Sequence, residues 1–328
     1  MIDLYPAYRK TTRRSPFISL LSRLWGREVI PFFSARSAML TGLEAFGLSR
    51  LDEIFVPPYL SHCVLSTISR TVFPAMAPSP RTRAILVFHQ FGFPQRIEMI
   101  EEIARENRWI IINDCAHTLF TEAEKRPLFD WGDLSVFSFA KIYPCGLGGG
   151  AVTNRTVIAK RLLEAASGDS REAAAAFDFY REISEGCYGE RTPLKIQSLY
   201  GYLPDIKPLA PQALEALPDS EDAIQSEKER RRRIYRQALE MFGDRVPPDP
   251  SGGTVPFAIP IQGNDVELFR LTGIIRERLS MNAPVLHFDY AQNMLKPDYR
   301  KAIVLGCHDA WSEDRVAAIF RVLKDGLT

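Results

Sequence analysis

Short apolar runs alternate with longer segments of helical periodicity over the first two thirds of the chain. Residues 84–88 and 109–113 are almost wholly apolar and have the length of a strand, as expected for strands that are buried on both faces of a sheet. Between them, residues 97–106 carry apolar side chains every three or four positions, which predicts an amphipathic helix. This alternation predicts an α/β fold with a mainly parallel central sheet flanked by helices.

The same pattern predicts the neighbouring elements. Strands are expected over 53–56, 134–139 and 151–153, and helices over 37–46 and 61–69. We expect Asn154 to cap a further long helix, whose buried stripe would comprise Val157, Ile158, Leu162, Leu163 and Ala166. The short apolar run 17–21 is interpreted as an amphipathic helix that packs on the body of the protein or on a partner subunit.

Beyond residue 217 the pattern changes to that of a small α+β unit. A loop rich in proline and glycine (247–253) is followed by a predicted strand (255–261) and two predicted helices (265–279 and 312–324). We therefore place a large domain at 1–217, including the N-terminal segment, and a small C-terminal domain at 218–328. The charged run 227–233 within it is interpreted as a solvated helix face.

Composition narrows the possible functions. The 41 basic residues nearly cancel the 40 acidic ones in this chain of 328 residues, and a formal charge of +1 argues against a nucleic-acid-binding protein. No apolar run approaches the ~18 residues of a membrane span, and the N-terminus does not resemble a secretory signal. The five cysteines are scattered without C-x-x-C spacing, so we expect neither a metal site nor disulfides, and we predict a cytoplasmic location.

Lys141 is the most informative residue for chemistry. It follows an apolar run (135–140) and precedes a glycine-rich segment (146–150), a setting that favours burial or close approach of a ligand. Asp114 stands at the end of the predicted strand 109–113. A lysine and a carboxylate at strand ends are the pair that a pyridoxal-phosphate (PLP) enzyme needs, one for the Schiff base and one to hold the pyridine nitrogen protonated. Taken singly, a lysine after a strand is more often a surface residue, and Asp114 could also be the N-cap of a following helix, a role that is compatible with binding the cofactor.

Three further features fit the same chemistry. His117 follows Asp114 by three residues and is placed to contact a ring hydroxyl, although a lone histidine is more often structural. The segment Ser34–Ser37 opens a helix whose N-terminal amides suit a phosphate, or it is simply a good helix cap. Ser138 is placed to add a hydroxyl to that phosphate.

The run Gly148–Gly150 precedes a strand and does not fit G-x-G-x-x-G, so we interpret it as allowing the chain to pass close to the lysine.

Four segments, in the same order, resemble motifs of the DegT/DnrJ/StrS family of nucleotide-sugar aminotransferases. They are Ser34–Leu40 (SARSAML), Leu51–Pro57 (LDEIFVP), His89–Pro94 with Asn113–His117 (HQFGFP, NDCAH), and Gly132–Phe139 with Lys141 and Gly149–Thr153 (GDLSVFSF, K, GGAVT). The similarity extends from about Phe33 to Leu163 and is fainter beyond. It implies the PLP-dependent transferase fold of type I.

The resemblance also implies roles for individual residues. Lys141 would form the Schiff base with PLP, Asp114 would pair with the pyridine nitrogen, and His117 would contact the ring oxygen. Ser138, with the backbone at Arg36 and Ser37, would bind the phosphate. Ser61 holds the place of the aromatic residue that stacks on the ring in the family, and Tyr59 and His62 are its candidate substitutes.

The implied reaction is an amino transfer from glutamate to a keto-sugar linked to a nucleotide, carried out by a homodimer during the synthesis of surface-polysaccharide or secondary-metabolite sugars. The chain departs from the family in an abbreviated segment 71–83 and in the spacing of Ser138 and Lys141, which is two residues shorter than usual. These departures leave two alternatives open. One is a different PLP enzyme, such as a lyase or an amino-acid-directed transferase, and the other is a non-catalytic PLP-binding regulator.

Overall fold

Seven strands form the central sheet of the computed structural model, which describes residues 4–9, 15–186, 203–249 and 252–327. The strands, in chain order, are Ile30–Phe32 (β1), Glu53–Phe55 (β2), Phe73–Ala75 (β3), Thr82–Phe88 (β4), Ile110–Cys115 (β5), Glu122–Ala123 (β6), Arg126–Pro127 (β7), Leu134–Ser138 (β8), Gly149–Thr153 (β9), Ala258–Gln262 (β10), Val285–Asp289 (β11) and Tyr299–Gly306 (β12).

The order of the central sheet is β1-β9-β8-β5-β4-β2-β3. Strands β3, β2, β4, β5 and β8 pair in parallel, whereas β9 pairs antiparallel with both β8 and β1. The prediction of a mainly parallel sheet is therefore confirmed. Two smaller antiparallel sheets accompany it, the pair β6-β7 and the three-stranded sheet β10-β12-β11.

Helices cover both faces of the central sheet. The α-helices of the described residues, in chain order, are Phe17–Trp25 (α1), Ala35–Ala45 (α2), His62–Ile68 (α3), Ile97–Asn107 (α4), Thr156–Ala166 (α5), Ser170–Gly186 (α6), Glu221–Phe242 (α7), Asp265–Leu279 (α8) and Glu313–Gly326 (α9). The apolar sides of α2, α3 and α5 pack on one face of the sheet, and those of α1 and α4 pack on the other. Strand β4 supplies both faces, since Ala84 and Leu86 point to the first and Ile85 and Val87 to the second.

The start of α5 differs from the prediction. Arg155, not Asn154, occupies the N-cap position, and no side chain caps this helix. Ile158 and Leu162 are buried as expected, but Val157 is 66% exposed and Leu163 is 38% exposed. The buried stripe is therefore narrower than the apolar residues suggested.

The charged run in α7 also departs from its interpretation. Arg231 is fully buried, while Arg233 on the same helix is 51% exposed. The prediction of a solvated face is therefore wrong at Arg231, and the contacts that bury it involve segments far away in the sequence.

The apolar run 17–21 lies in α1, which packs on the body of the protein, where Phe17 and Leu21 are buried. One hydrophobic cluster continues from the central sheet through α7 into the three-stranded sheet. The domain boundary near residue 218 stays a prediction. Across the described ranges, we find no helix with the length and apolarity needed to cross a membrane.

Several predictions concern residues that are only partly described. Between residues 168 and 218 the structure describes α6 and short 3₁₀ turns at Leu203–Asp205 and Pro211–Ala216. Residues 187–202 and positions 250–251 of the loop 247–253 lie outside the described residues, as does Cys187. The other four cysteines, Cys63, Cys115, Cys145 and Cys307, are free thiols.

Candidate active site

Asp114 and Lys141 meet at the carboxyl edge of the central sheet. Strands β4, β5 and β8 are parallel neighbours, so that their ends lie side by side. Asp114 is the penultimate residue of β5, and Lys141 ends the 3₁₀ turn Phe139–Lys141 that directly follows β8. The two charges act on each other, since each perturbs the pKa of the other group. The sequence-predicted pair is therefore brought together by the fold.

The Asp114 carboxylate is buried, with 2% of the residue exposed. Burial raises the pKa of this carboxyl, while the Lys141 charge and a hydrogen bond from the Ala116 N–H (2.9 Å) act in the opposite direction. No helix follows β5 directly, so the N-cap interpretation of Asp114 is wrong, and its hydrogen bond closes a turn instead. The arrangement is a buried acidic group that lies close to the Lys141 amine.

The Lys141 amine lies in a partly buried environment that makes it easier to deprotonate than an exposed lysine. Burial is the main cause that lowers the pKa of Lys141, and the charge of Arg36 acts in the same direction. Asp114 and Cys63 oppose this effect. The Tyr5 ring centroid lies 6.0 Å from Nζ and covers the amine on one side. A neutral amine is a nucleophile, whereas an ammonium ion is not.

His117 is held by two aromatic residues. Its Nδ1 accepts a hydrogen bond from the Phe91 N–H (3.0 Å), and its ring stacks on Phe91 and on Phe257 with centroid distances of 5.6 and 4.8 Å. Burial and the Lys141 charge hold the pKa of His117 well below its usual range. The ring is therefore neutral, and because Nδ1 accepts, the proton is on Nε2.

The N-terminus of α2 lies beside the end of β8. Ser34 caps the helix by accepting a hydrogen bond from the Ser37 N–H (3.1 Å), and the Ser37 hydroxyl donates to the carbonyl of Leu203 (3.2 Å). The N–H and hydroxyl of Ser37 are thus engaged within the protein.

Gly149 explains how closely this helix approaches the sheet. A Cβ atom at Gly149 would lie 2.3 Å from the backbone nitrogen of Ala35 and 2.5 Å from the carbonyl oxygen of Phe137. Gly149 pairs with Ser138, so the missing side chain brings the start of α2 next to Ser138. The glycine run was expected to give room at the lysine. At Gly149, the room is instead taken up by the helix N-terminus.

Tyr59 and His62, the two proposed substitutes for the stacking aromatic residue, flank Ser61 before and at the start of α3. Tyr59 stacks on His287 with a centroid distance of 4.5 Å and packs edge-on against Tyr299, so its ring is engaged with the C-terminal sheet. His62 begins α3 and is exposed. The Ser61 hydroxyl lies 3.0 Å from the Cys63 sulfur.

Sequence reasoning missed Phe88, an aromatic residue that does lie in this site. Phe88 ends β4, is in register with Asp114 and packs edge-on against His117 with a centroid distance of 4.9 Å. The signal was present in the sequence, because the last residue of β4 shares a sheet face with the last carboxylate of β5 when the strands are parallel. Phe91 and Phe257 carried no comparable signal, since they read as ordinary core residues.

Residues 25–180 match a family model described as "Putative PLP-dependent aminotransferase". An L-glutamine:2-deoxy-scyllo-inosose aminotransferase of Streptomyces kanamyceticus is 26% identical over 153 residues, which cover 40% of this chain and 36% of that protein. A GDP-perosamine synthase of Escherichia coli O157:H7 is 29% identical over 146 residues, which cover 38% of this chain and 40% of that protein. The chain thus spans less than half the length of these curated relatives. The resemblance to sugar aminotransferases is confirmed.

Among solved structures, the aminotransferase TlmJ from Streptoalloteichus hindustanus superposes with a TM-score of 0.71 at 17% sequence identity. The match covers 100% of this chain and 99% of that one. The predicted fold, that of the type I PLP-dependent transferases, is confirmed.

Proposed function

We propose that this protein is a PLP-dependent aminotransferase that transfers an amino group, with glutamate as donor, to a keto-sugar that is linked to a nucleotide. The observation that carries the proposal is the pairing of the buried Asp114 with the partly buried Lys141 at the carboxyl edge of the sheet. The match of residues 25–180 to a PLP-dependent family supports it.

The side chains of the site fit PLP part by part. The Lys141 amine suits the aldehyde, the Asp114 carboxylate suits the pyridine nitrogen, and the Nε2–H of His117 suits the ring oxygen. The start of α2, next to Ser138, suits the phosphate because helix N-termini favour anions. Phe88, and not Tyr59 or His62, is the aromatic residue that we assign to the ring of the cofactor, because it lies against His117.

PLP, when bound, supplies an electron sink that makes the bond from the amino-bearing carbon to hydrogen weak enough to break. Asp114 would hold the pyridine nitrogen in its protonated form, and the burial of its carboxylate would make that interaction strong. His117 would donate one hydrogen bond and, being neutral, would add no charge. Lys141 would hold the cofactor through its amine, and the same amine would be placed to take a proton from the substrate and return it.

Overall, the proposed reaction exchanges an amino group for a carbonyl oxygen. The donor amino acid becomes a 2-oxo acid, and the keto-sugar becomes an amino sugar, so that no external oxidant is needed. The relatives act on different acceptors by their names, an inosose for one and a GDP-linked sugar for the other. We propose the nucleotide-linked acceptor, in the synthesis of a surface polysaccharide or a secondary metabolite. We also propose that the protein forms a homodimer and is located in the cytoplasm.

Trapping the cofactor on the protein tests this proposal. The purified protein is incubated with PLP, reduced with borohydride and mapped by peptide mass. We expect the label on Lys141, a visible absorption band before reduction, and the loss of both in Lys141→Ala. Lys207→Ala is the matched control, because burial also lowers the pKa of Lys207 although it lies outside the site. A label on Lys207, or no label, would refute the proposal.

Amine exchange tests the reaction type separately. Glutamate alone should convert the bound cofactor to its amine form, with loss of the visible band and release of 2-oxoglutarate. A protein that binds PLP at Lys141 but does not exchange amines with glutamate or glutamine would be a different PLP enzyme or a regulator. Candidate nucleotide-linked keto-sugars and free inososes can then be compared as acceptors.

A further inference from the structure

Arg231 is the least exposed charged residue of the run in α7. None of its side chain is exposed, although Arg233, two residues along the helix, is 51% exposed. Arginine is almost never fully buried unless its donors are paired. Its partners therefore indicate what the burial accomplishes.

The guanidinium of Arg231 connects three parts of the chain. Nε donates to Glu227 on the same helix (2.7 Å), Nη1 to the carbonyl of Pro256 (3.0 Å), and Nη2 to the carbonyl of Ile142 (3.0 Å). Nη1 also lies 3.4 Å from the carbonyl of Phe257. One planar group thus joins two segments that are more than a hundred residues apart in sequence.

Both of these segments end in the candidate active site. Ile142 directly follows Lys141. Phe257 stacks on His117, and it also lies 5.3 Å, between ring centroids, from Tyr5, the residue that covers the Lys141 amine. The Phe257 N–H donates to the carbonyl of Phe91 (2.8 Å), whose own N–H holds His117. Arg231 therefore lies behind the site and touches the supports of both its lysine and its histidine.

We propose that Arg231 is a positioning residue. It fixes the 3₁₀ turn that ends in Lys141 relative to the segment Pro256–Phe257, whose Phe257 ring packs against His117. This inference rests on the proposed function. The residue type fits the task, because the rigid guanidinium fork donates in several fixed directions at once, whereas a lysine ammonium is a flexible point charge. Glu227 also accepts a hydrogen bond from Arg230 (2.8 Å), so that replacing Arg231 does not leave that carboxylate unpaired.

The test compares Arg231→Lys with Arg233→Met. Arg233 lies on the same helix and pairs with the exposed Glu313 (2.9 Å), so its loss removes a surface ion pair and leaves the site untouched. For each full-length variant, cofactor-free protein is mixed with PLP, and the rate of growth of the visible band is followed against pH. The groups that face Lys141 are Asp114, Cys63, Arg36 and His117, and both variants retain all of them.

We expect the Arg231→Lys variant to capture PLP about 10- to 100-fold more slowly at neutral pH, because displacement of a reacting group by about 1 Å can cost that much. The pH midpoint of capture should also rise by about one unit, because a loosened turn lets water reach the amine. Arg233→Met should match the wild type in both. A purely structural role for Arg231 would lower the melting temperature and leave the pH midpoint unchanged, which would overturn the inference.

A second variant decides the matter if Arg231→Lys does not fold. Glu227→Gln keeps the guanidinium and its two carbonyl partners but removes the charge that anchors it, and a smaller shift of the midpoint in the same direction is expected. An unchanged midpoint in Glu227→Gln would then overturn the inference. Failure of the proposed function looks different, because the wild-type protein itself would capture no PLP.

Discussion

The N–H of Phe91 donates a hydrogen bond to Nδ1 of His117, and Phe91 does so from a left-handed backbone conformation (φ 54°, ψ 14°). Such a conformation is unfavourable for a residue with a side chain. The ring of Phe91 compensates by packing on His117 and Phe288, with interplanar angles of 5° and 17°. The strained residue thus sets both the tautomer and the plane of the histidine.

This relationship predicts the protonation state of His117. Because burial and the Lys141 charge lower the pKa of His117, we expect the ring to stay neutral, with its proton on Nε2, from pH 8 down to below its ordinary titration range near ~6.5. Nitrogen-15 NMR of histidine-labelled protein distinguishes the two tautomers and the cation, and His117→Gln identifies the signal. A signal from the Nδ1–H tautomer, or titration near pH 6.5, would contradict the geometry.

Glycine should be the better replacement at Phe91. Phe91→Gly and Phe91→Ala both remove the ring, but only glycine adopts positive φ without strain, so we expect Phe91→Gly to be about 1 kcal/mol more stable. Phe93, also buried, has φ −84° and is the matched control. There the order should reverse, with Phe93→Ala more stable by about 0.5–1 kcal/mol. Urea unfolding of the four variants measures both differences, and the same order at both positions would exclude strain at Phe91.

His89 should make the protein sensitive to acid. It is fully buried, bonded to Asn113 (2.6 Å) and to the N–H of Gln95 (3.1 Å), and burial lowers the pKa of His89 to about 4. Between pH 6.5 and 4 the unfolded chain binds a proton that the folded protein excludes. The contribution of His89 to the free energy of unfolding is therefore fully present above pH 6.5. It is lost as the pH falls to 4, and the total loss is about 3 kcal/mol.

The contribution of His89 is measured by difference. The free energy of unfolding of His89→Gln should change less between pH 6.5 and 4 than that of the wild type. His62→Gln, an exposed histidine, should keep the wild-type slope. Equal slopes in the wild type and His89→Gln would assign the acid sensitivity to other groups.

A methyl group at Gly149 should damage the phosphate end of the site. Its Cβ would lie within 2.5 Å of backbone atoms of Ser34, Ala35 and Phe137, which cannot turn away as a side chain would. We expect Gly149→Ala to cost about 1–3 kcal/mol of stability and to weaken PLP binding. Gly273 lies in α8 with open space around it, so Gly273→Ala should be neutral or stabilising by up to about 1 kcal/mol. Thermal unfolding with and without PLP separates these effects, and a harmless Gly149→Ala would refute the close contact.

Asp114→Asn should weaken cofactor binding without unfolding the protein. The charge-assisted hydrogen bond that it removes is worth about 1.5–3 kcal/mol, which corresponds to roughly a 10- to 100-fold higher dissociation constant for PLP. Asp133→Asn is the control, because Asp133 pairs with Arg155 at 2.6 Å and not with Lys141. Titration of the visible band measures both constants. A loss of affinity in Asp133→Asn as large as in Asp114→Asn would remove the special role of Asp114.

The sequence was most informative where local pattern and topology act together. Apolar runs in the sequence located β4, β5 and β8. Because parallel strands end at the same edge of a sheet, the sequence alone could predict that Asp114 and Lys141 lie close together. It was least informative at Arg231. Helical periodicity assigns a residue to a side of its own helix, but the burial of Arg231 depends on carbonyls at Ile142 and Pro256, which no local pattern connects to it.

The sequence did not indicate the aromatic residues around His117 for a related reason. Phe88, Phe91 and Phe257 look like core residues, and their position around His117 arises from strand register, a strained turn and a segment of the C-terminal sheet. Tyr59 and His62 were candidates because they lie close to Ser61 in sequence, whereas the contacts of the Tyr59 ring with His287 in β11 and Tyr299 in β12 depend on the tertiary fold.

The contact between Phe257 and His117 has a consequence for how the protein is made. A ribosome adds Lys141, Asp114 and His117 to the growing chain long before Phe257 and its partner Arg231. While synthesis is still in progress, the chain therefore contains Lys141 but not yet Phe257, whose ring packs on His117, or Arg231, whose guanidinium donates to the carbonyl of Ile142. We therefore expect the site to be complete only after Phe257 and Arg231 have been added, and a chain that stops before Arg231 to lack both of these supports.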